Sequence, residues 1–327
     1  MCNFTLTPRL RLLTITGVIV IFFTPNKLFA SGDTLRFFEN SPVLNKTRLH
    51  VIEGTVGVLY PASMTGLYYL WYKGDTLTQF HFFNDNNEWM QIDKGGHYLI
   101  AYYLGNIGIG TLRWAGVERK KAIWIGGTLG LIFETTFECM DGLGKRWGFS
   151  PGDVTANALG AATAISQQLA WDEQRINVKY SFHPSPYAKY RPNVFGDNIP
   201  SRMVKDYNGF THWLSGNLYS FLPKTSKFPK WLNLAIGYGA EGMTGATKNM
   251  TDSIGNPVDS KGNLIPSFPR YRQYYISLDV DLSKIKTKSK FLHTFFKAAG
   301  ILKFPAPTIE LNKINGVHHV IVRPLYF

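Results

Sequence analysis

Residues 273–282 read QYYISLDVDL, and this stretch decides the character of the second half of the chain. Tyr274, Ile276, Leu278, Val280 and Leu282 fall on one face of an extended strand, opposed by Gln273, Ser277, Asp279 and Asp281. Working outward, Arg175–Phe182 and Leu232–Ala240 alternate in the same way. Asn315-Gly316, between 308–313 and 318–323, marks a two-residue hairpin. A terminal strand ending in Phe327 is similar to the closing strand of outer-membrane β-proteins, although the five or six strands visible fall short of such a barrel. The series Trp213, Leu214, Asn217, Leu218 and Phe221 follows helical spacing, so a helix is expected to interrupt the strands. No internal repeat is evident.

The first half has a different period. Four Gly/Ala-rich helices are expected over 54–72, 98–112, 122–133 and 154–170. The first is uncharged, long enough to cross a membrane, and kinked at Pro61. Gly126 with Gly130, and Gly160 with Ala164, form small-residue pairs of the kind that lets helices approach closely. The expected fold class is therefore α+β. A short membrane-associated bundle of about four helices (31–174) precedes a β-rich region with hairpins (175–327), which could form an incomplete or mixed barrel.

Residues 1–30 read as a secretory signal. Arg9 and Arg11 precede the apolar run Leu12–Thr24, and Leu28-Phe29-Ala30 offers a cleavage site before Ser31. Export to the periplasm or outer membrane follows. Cys2 would leave with the signal, leaving Cys139 without a disulfide partner. The 327 residues carry a net charge of +13, and only Arg9, Arg11 and Lys27 lie in the signal, so the mature chain stays basic. An exported protein rarely meets nucleic acid, so membrane lipid or anionic head groups are the expected partners. The mean hydropathy of −0.09 limits any lipid burial to part of the chain, or to strands with one polar face. The sequence carries no P-loop, dinucleotide fingerprint, zinc-protease motif or serine-hydrolase elbow.

The informative polar residues sit at helix ends. Asp93 and His97 are four apart at the start of the second helix. Glu134 and Glu138 are four apart at the end of the third, with Asp141 three further on. Asp153 and Asn157 begin the fourth. Short connections make these helices antiparallel neighbours, so the three sets should converge at one end, while Arg113, Trp114, Arg119, Lys120 and Lys121 mark the other. Asp93, His97, Glu138, Asp141, Asp153 and Asn157 form the candidate catalytic cluster. His97, Glu138, Asp141 and Asp153 are the candidate ligands of a divalent metal ion. The same residues also suit caps and ion pairs: Ser150 as N-cap with Asp153 at the capping-box position, and Glu138 or Asp141 paired with Lys94, Lys145 or Arg146. His212, His318 and His319 are expected at the surface.

The segments Asp93-Lys94-Gly95-Gly96-His97, Glu138-Cys139-Met140-Asp141, Trp147-Gly148-Phe149-Ser150-Pro151-Gly152-Asp153 and Ala156-Asn157-Ala158-Leu159-Gly160-Ala161 resemble the YfiM-like family of predicted periplasmic lipoproteins. The family core would cover about 88–170. The continuation through Gln174-Arg175, Lys205–Gly209 and Trp213–Ser215 looks like longer members from Bacteroidetes-type bacteria. A fainter pattern likeness is to VanZ-like membrane proteins. The resemblance implies location and motif, not a reaction. The chain departs from the lipoprotein label because no Cys stands at the cleavage site, so anchoring would fall to the helices or the strands. The expected role is structural or lipid-interacting. The rival is a membrane-level hydrolase or transferase acting on lipid or a lipid-linked substrate, with His97 as acid/base.

Overall fold

The computed structural model describes residues 37–72 and 76–326, so the expected signal lies outside the described residues. Helix α1 is Lys46–Leu67, capped by Asn45, whose side chain accepts from the Arg48 amide. It carries Pro61 and continues as a π-turn over Tyr68–Tyr72. Helix α2 is Ile92–Trp114, α3 Arg119–Gly127, α4 Leu129–Asp141 and α5 Pro151–Trp171. The helix expected over 122–133 is thus two pieces, joined at Thr128. There the side-chain hydroxyl donates back to the carbonyls of Trp124 and Ile125.

Helix α2 is the centre of the bundle, with α3, α4 and α5 packed on it. The small-residue pair works through close approach: a Cβ on Gly126 would lie 2.3 Å from the carbonyl carbon of Gly108 on α2. No helix among the described residues is long and apolar enough to cross a membrane. This corrects the expectation for 54–72. The helix starts earlier than expected, so Lys46, Arg48, His50 and Glu53 all fall inside it.

The second half is one antiparallel sheet in chain order, β1 (Ile176–Phe182), β2 (Phe210–Asn217), β3 (Leu232–Glu241), β4 (Tyr271–Val280), β5 (Ala306–Ile314) and β6 (Val317–Tyr326). The sheet is open, not a closed barrel. The Asn315-Gly316 hairpin is present, both residues having positive φ (50° and 85°). The helix expected at 213–221 is instead strand β2 followed by a single 3-10 turn, Leu218–Phe221. Helical spacing misled there because both faces of β2 carry apolar groups, with Trp213 inside and Leu214 outside. Contrary to the expectation of no internal repeat, residues 252–258 and 259–265 form a short tandem repeat. Asp252 and Asp259 each accept from the amides two and four residues on, and each is held by the side chain of Asn256 or Asn263.

The sheet is curled. Lys179 on β1 reaches Asp279 on β4, two strands beyond its neighbour, at 2.7 Å. The free edge of β1 is partly taken by 301–303, where Tyr180 donates to the Ile301 carbonyl (2.8 Å) and accepts from Lys303 (3.0 Å). The concave side holds polar groups that satisfy one another, such as Ser215 donating to Asp279 (2.6 Å) and Asn233 donating to Ser215 (2.9 Å). Trp213 packs on Tyr275 in the same interior. Helices and strands share hydrophobic clusters. Ile92 packs with Phe210, Ala240 and Met243, while Leu99 and Tyr102 pack with Ala164 and Val178. These contacts fix the start of α2 over β2 and β3.

Candidate functional site

The entry into α2 is strained. Trp89, Met90 and Gln91 all take left-handed backbone angles (φ 45°, 51° and 65°), costing roughly 1–2 kcal/mol each for residues with a Cβ. The turn persists because its surroundings hold it. Trp89 donates its amide to the Ala246 carbonyl (2.9 Å), Tyr238 donates to the Met90 carbonyl, and Arg272 donates to Gln91 (2.7 Å). The result sets the first turn of α2 directly on β2. His212, expected at the surface, lies beneath that turn with Nε2 3.1 Å from the Ile92 carbonyl. A Cβ on Gly95 would come within 2.3 Å of its ring, so only glycine fits there. Burial drives the His212 pKa down to about 4, so the ring is neutral and donates from Nε2. His318 and His319 are exposed.

From this anchored start, Asp93, Lys94 and His97 project toward the end of α4 and the start of α5. His97 Nδ1 lies 3.1 Å from Glu134 Oε2 and 3.2 Å from Asn157 Oδ1. Its Nε2 lies 3.5 Å from Glu138 Oε1 and 3.8 Å from Asp153 Oδ1. Lys94 Nζ sits 2.6 Å from Asp85 and 2.7 Å from Asp153, with Asp93 further off at 3.9 Å. Tyr207 donates to Asp93 (2.8 Å), and Tyr72 donates to Asp141 (2.5 Å). All six sequence-named residues therefore occupy one end of the bundle, Asp141 at its margin. Arg113 and Arg119 pair with Asp172 at the other end.

Capping explains part of this arrangement and leaves the rest. Ser150 caps α5, accepting from the Asp153 amide at 3.1 Å. The reciprocal half of a capping box is missing, since the Ser150 amide donates to Glu138 (3.0 Å) and not to Asp153. The Asp153 carboxylate is thereby free to face Lys94 and His97. Among the described residues, Glu138 meets His97 and the Ser150 amide and Asp141 meets Tyr72, not the lysine and arginine partners that a surface network would give them.

The electrostatics are lopsided. Among the described residues, Asp85, Asp93, Glu134, Glu138, Asp141 and Asp153 face one lysine and one histidine, Lys94 and His97. Burial drives Glu138 up to about 8 and both Asp141 and Asp153 up to about 7, with the charge of His97 pulling each back in part. For His97, burial works to lower the pKa. The hydrogen bond to Glu134 and the charges of Asp93 and Asp153 outweigh it, holding the imidazole well above its usual range. Lys94 is likewise raised, burial being overcome by Asp153 and Asp85. A buried excess of carboxylates must carry protons or take up a cation. Asn157 is fully buried, and its Nδ2 has no acceptor among the described residues.

Asp93, His97 and Asp153 each offer one ligand atom, all within 4.8 Å of one another. Asp93 thus joins His97 and Asp153 as a candidate ligand beyond the expected set, and Asp85, Lys94 and Glu134 join the expected cluster. Glu134 carried a legible signal, four residues before Glu138 on the same helical face. Asp85 lies in a loop and Tyr207 in a 3-10 turn, where no periodicity points to the cluster.

An α+β protein with an anchored helix start and a buried His/carboxylate cluster is the class that fold and site define. A family model described as "Predicted periplasmic lipoprotein (DUF2279)" matches residues 81–168, the stretch holding every sequence-named cluster residue. No curated protein and no solved structure matches the chain. In agreement with that family description, the chain is exported to the cell envelope.

Proposed function

We propose that this is an envelope protein of the YfiM-like kind, with a structural or lipid-facing role, whose bundle end binds one divalent cation through Asp93, His97 and Asp153. Glu138 stands beside them, and Asp141 is an outer partner held by Tyr72. The single observation carrying this reading is the orientation of His97. A Glu134 carboxylate on Nδ1 fixes the tautomer that leaves Nε2 free, as a carboxylate does for metal-bound histidines. Nε2 then faces Glu138 and Asp153 at 3.5 and 3.8 Å, too far for good hydrogen bonds. Those spacings approach the roughly 3.4 Å ligand–ligand edge that bonds of about 2.1 Å make around a tetrahedral ion. Lys94 competes for Asp153 and would shift toward Asp85 when a cation is bound.

The testing experiment is calorimetric titration of chelator-treated protein with manganese and with zinc. One saturable site with proton release is expected, because a cation displaces the proton from His97. No heat of binding with either ion would overturn the reading.

A membrane-level hydrolase or transferase is the second reading. What favours it is Glu138, which burial makes a proton carrier near neutral pH, beside the cation position. The near-complete burial of Glu134, Glu138 and Asp153 weighs toward a holding role.

A further inference from the structure

The sheet is built with its chemistry reversed. Its concave face carries Lys179, Asp279, Glu310, Gln273 and Asn233, all buried. Its convex face carries a lateral row, Leu214, Ile236, Ile276, Ile309 and Val322, each directly paired with the next across five strands. Every member of that row is exposed, Ile236 by 56% and Val322 by 71%. Leu234 with Leu278 continue it on one side, and Tyr274 with Leu311 on the other. At about 4.8 Å between strands and about 7 Å between rows, the patch is on the order of 400 Å². A sheet made for water on its open side places its polar residues there. Here those residues point inward and satisfy one another; the start of α2 covers the same outer face at His212 and Tyr238, so the part left open is the set of rows running from Leu214 and Ile236 across β4 to β6.

The rim identifies the occupant. At the end where β1 and β3 begin and β2 stops, Trp231 and Phe221 are exposed. The Arg175 guanidinium lies 4.9 Å from the centre of the Trp171 ring and 5.6 Å from that of Phe221. The chain leaves β4 at the same end through Lys284 and the exposed Lys286 and Lys288. Helix α6 (Lys290–Ala299) follows, exposing Phe291, Leu292 and Phe295. Tryptophan and lysine beside an apolar band, followed by an amphipathic helix, match a bilayer interface with anionic head groups. A second copy would bring a like-charged rim against this one.

We propose that the convex face of the sheet seats on an anionic membrane surface, with its apolar rows at the acyl-chain boundary and its basic, aromatic end among the phosphates. The proposal rests on the envelope location and is independent of the cation site.

The test is flotation of the full mature chain with phosphatidylethanolamine/phosphatidylglycerol vesicles and with phosphatidylcholine vesicles. The wild type should float with the anionic vesicles, with or without chelator. Ile276→Asp should lower the partition constant onto the anionic vesicles by roughly fivefold. The double variant Lys286→Glu/Lys288→Glu, confined to exposed residues, should lower it by roughly tenfold on anionic vesicles and little on phosphatidylcholine. Circular dichroism checks that each variant is folded. A folded wild type that ignores both vesicle types overturns the proposal. So does a dimer in detergent-free buffer that Ile276→Asp dissociates, which would assign the face to a second copy.

Discussion

Replacing Lys94 with alanine should be among the most damaging changes at the bundle end, and the size follows from what it leaves behind. The Nζ atom lies 2.6 Å from Asp85 and 2.7 Å from Asp153, and the three side chains are 15%, 14% and 4% exposed. Removing one member of a buried pair leaves an uncompensated carboxylate, at a cost of about 3–5 kcal/mol. Asp85 can be rehydrated from its loop, so the low end of that range, about 3 kcal/mol, applies. A proton offers Asp153 relief. Its folded pKa is raised to about 7 from 3.8, so its contribution favours the native state at low pH and is lost as pH rises through about 7. Asp153 already titrates near 7 in the wild type, so the penalty of Lys94→Ala should be largest above pH 7, shrink by up to about 1.4 kcal/mol per unit on acidification to about pH 7, and stay level from there to pH 5. Urea denaturation followed by circular dichroism at pH 8 and at pH 5 reads this out. A loss below about 1 kcal/mol near pH 8, unchanged at pH 5, would mean that the ion pair is solvated and the reasoning is wrong.

Two further outcomes follow from the same geometry. Glu134→Gln keeps a partner for His97 but removes the charge that fixes its tautomer, so cation affinity measured by calorimetry should fall about 10–100-fold with the fold intact. In the sheet interior, burial pushes the Lys303 pKa down to about 8 from 10.5, against the pull of Asp279. The unfolded chain binds that proton more tightly, so stability should rise between about pH 8 and pH 10.5. Lys303→Met should flatten that slope in denaturation curves taken across the window.

Much of the site was legible because helical spacing is rigid. Asp93 and His97, Glu134 and Glu138, and Asp153 and Asn157 are each one turn apart, and antiparallel packing leaves them only one place to meet. Lys94 was legible as an ion-pair partner for the carboxylates of a neighbouring helix, but its spacing from Asp93 could not say that the partners are Asp85 and Asp153 and not Glu138 or Asp141. Asp85 sits in a loop and Tyr207 in a 3-10 turn just before β2, and no helical or strand period ties either to the cluster. In the sheet, the alternation at 273–282 gave the strand, but period alone does not say which face is inside. Tyr274, Ile276 and Leu278 proved to be the outer set. The same inversion disguised β2 as a helix, since Trp213 and Leu214 face opposite sides.

The most direct test of the cation site is the metal content of purified mature protein, wild type beside His97→Ala. The account expects near-stoichiometric divalent metal in the wild type and its loss in a variant that keeps its circular dichroism spectrum. Metal absent from the wild type, even after incubation with manganese or zinc, would contradict it and leave Asp93, His97 and Asp153 as a proton-neutralised knot that closes the bundle.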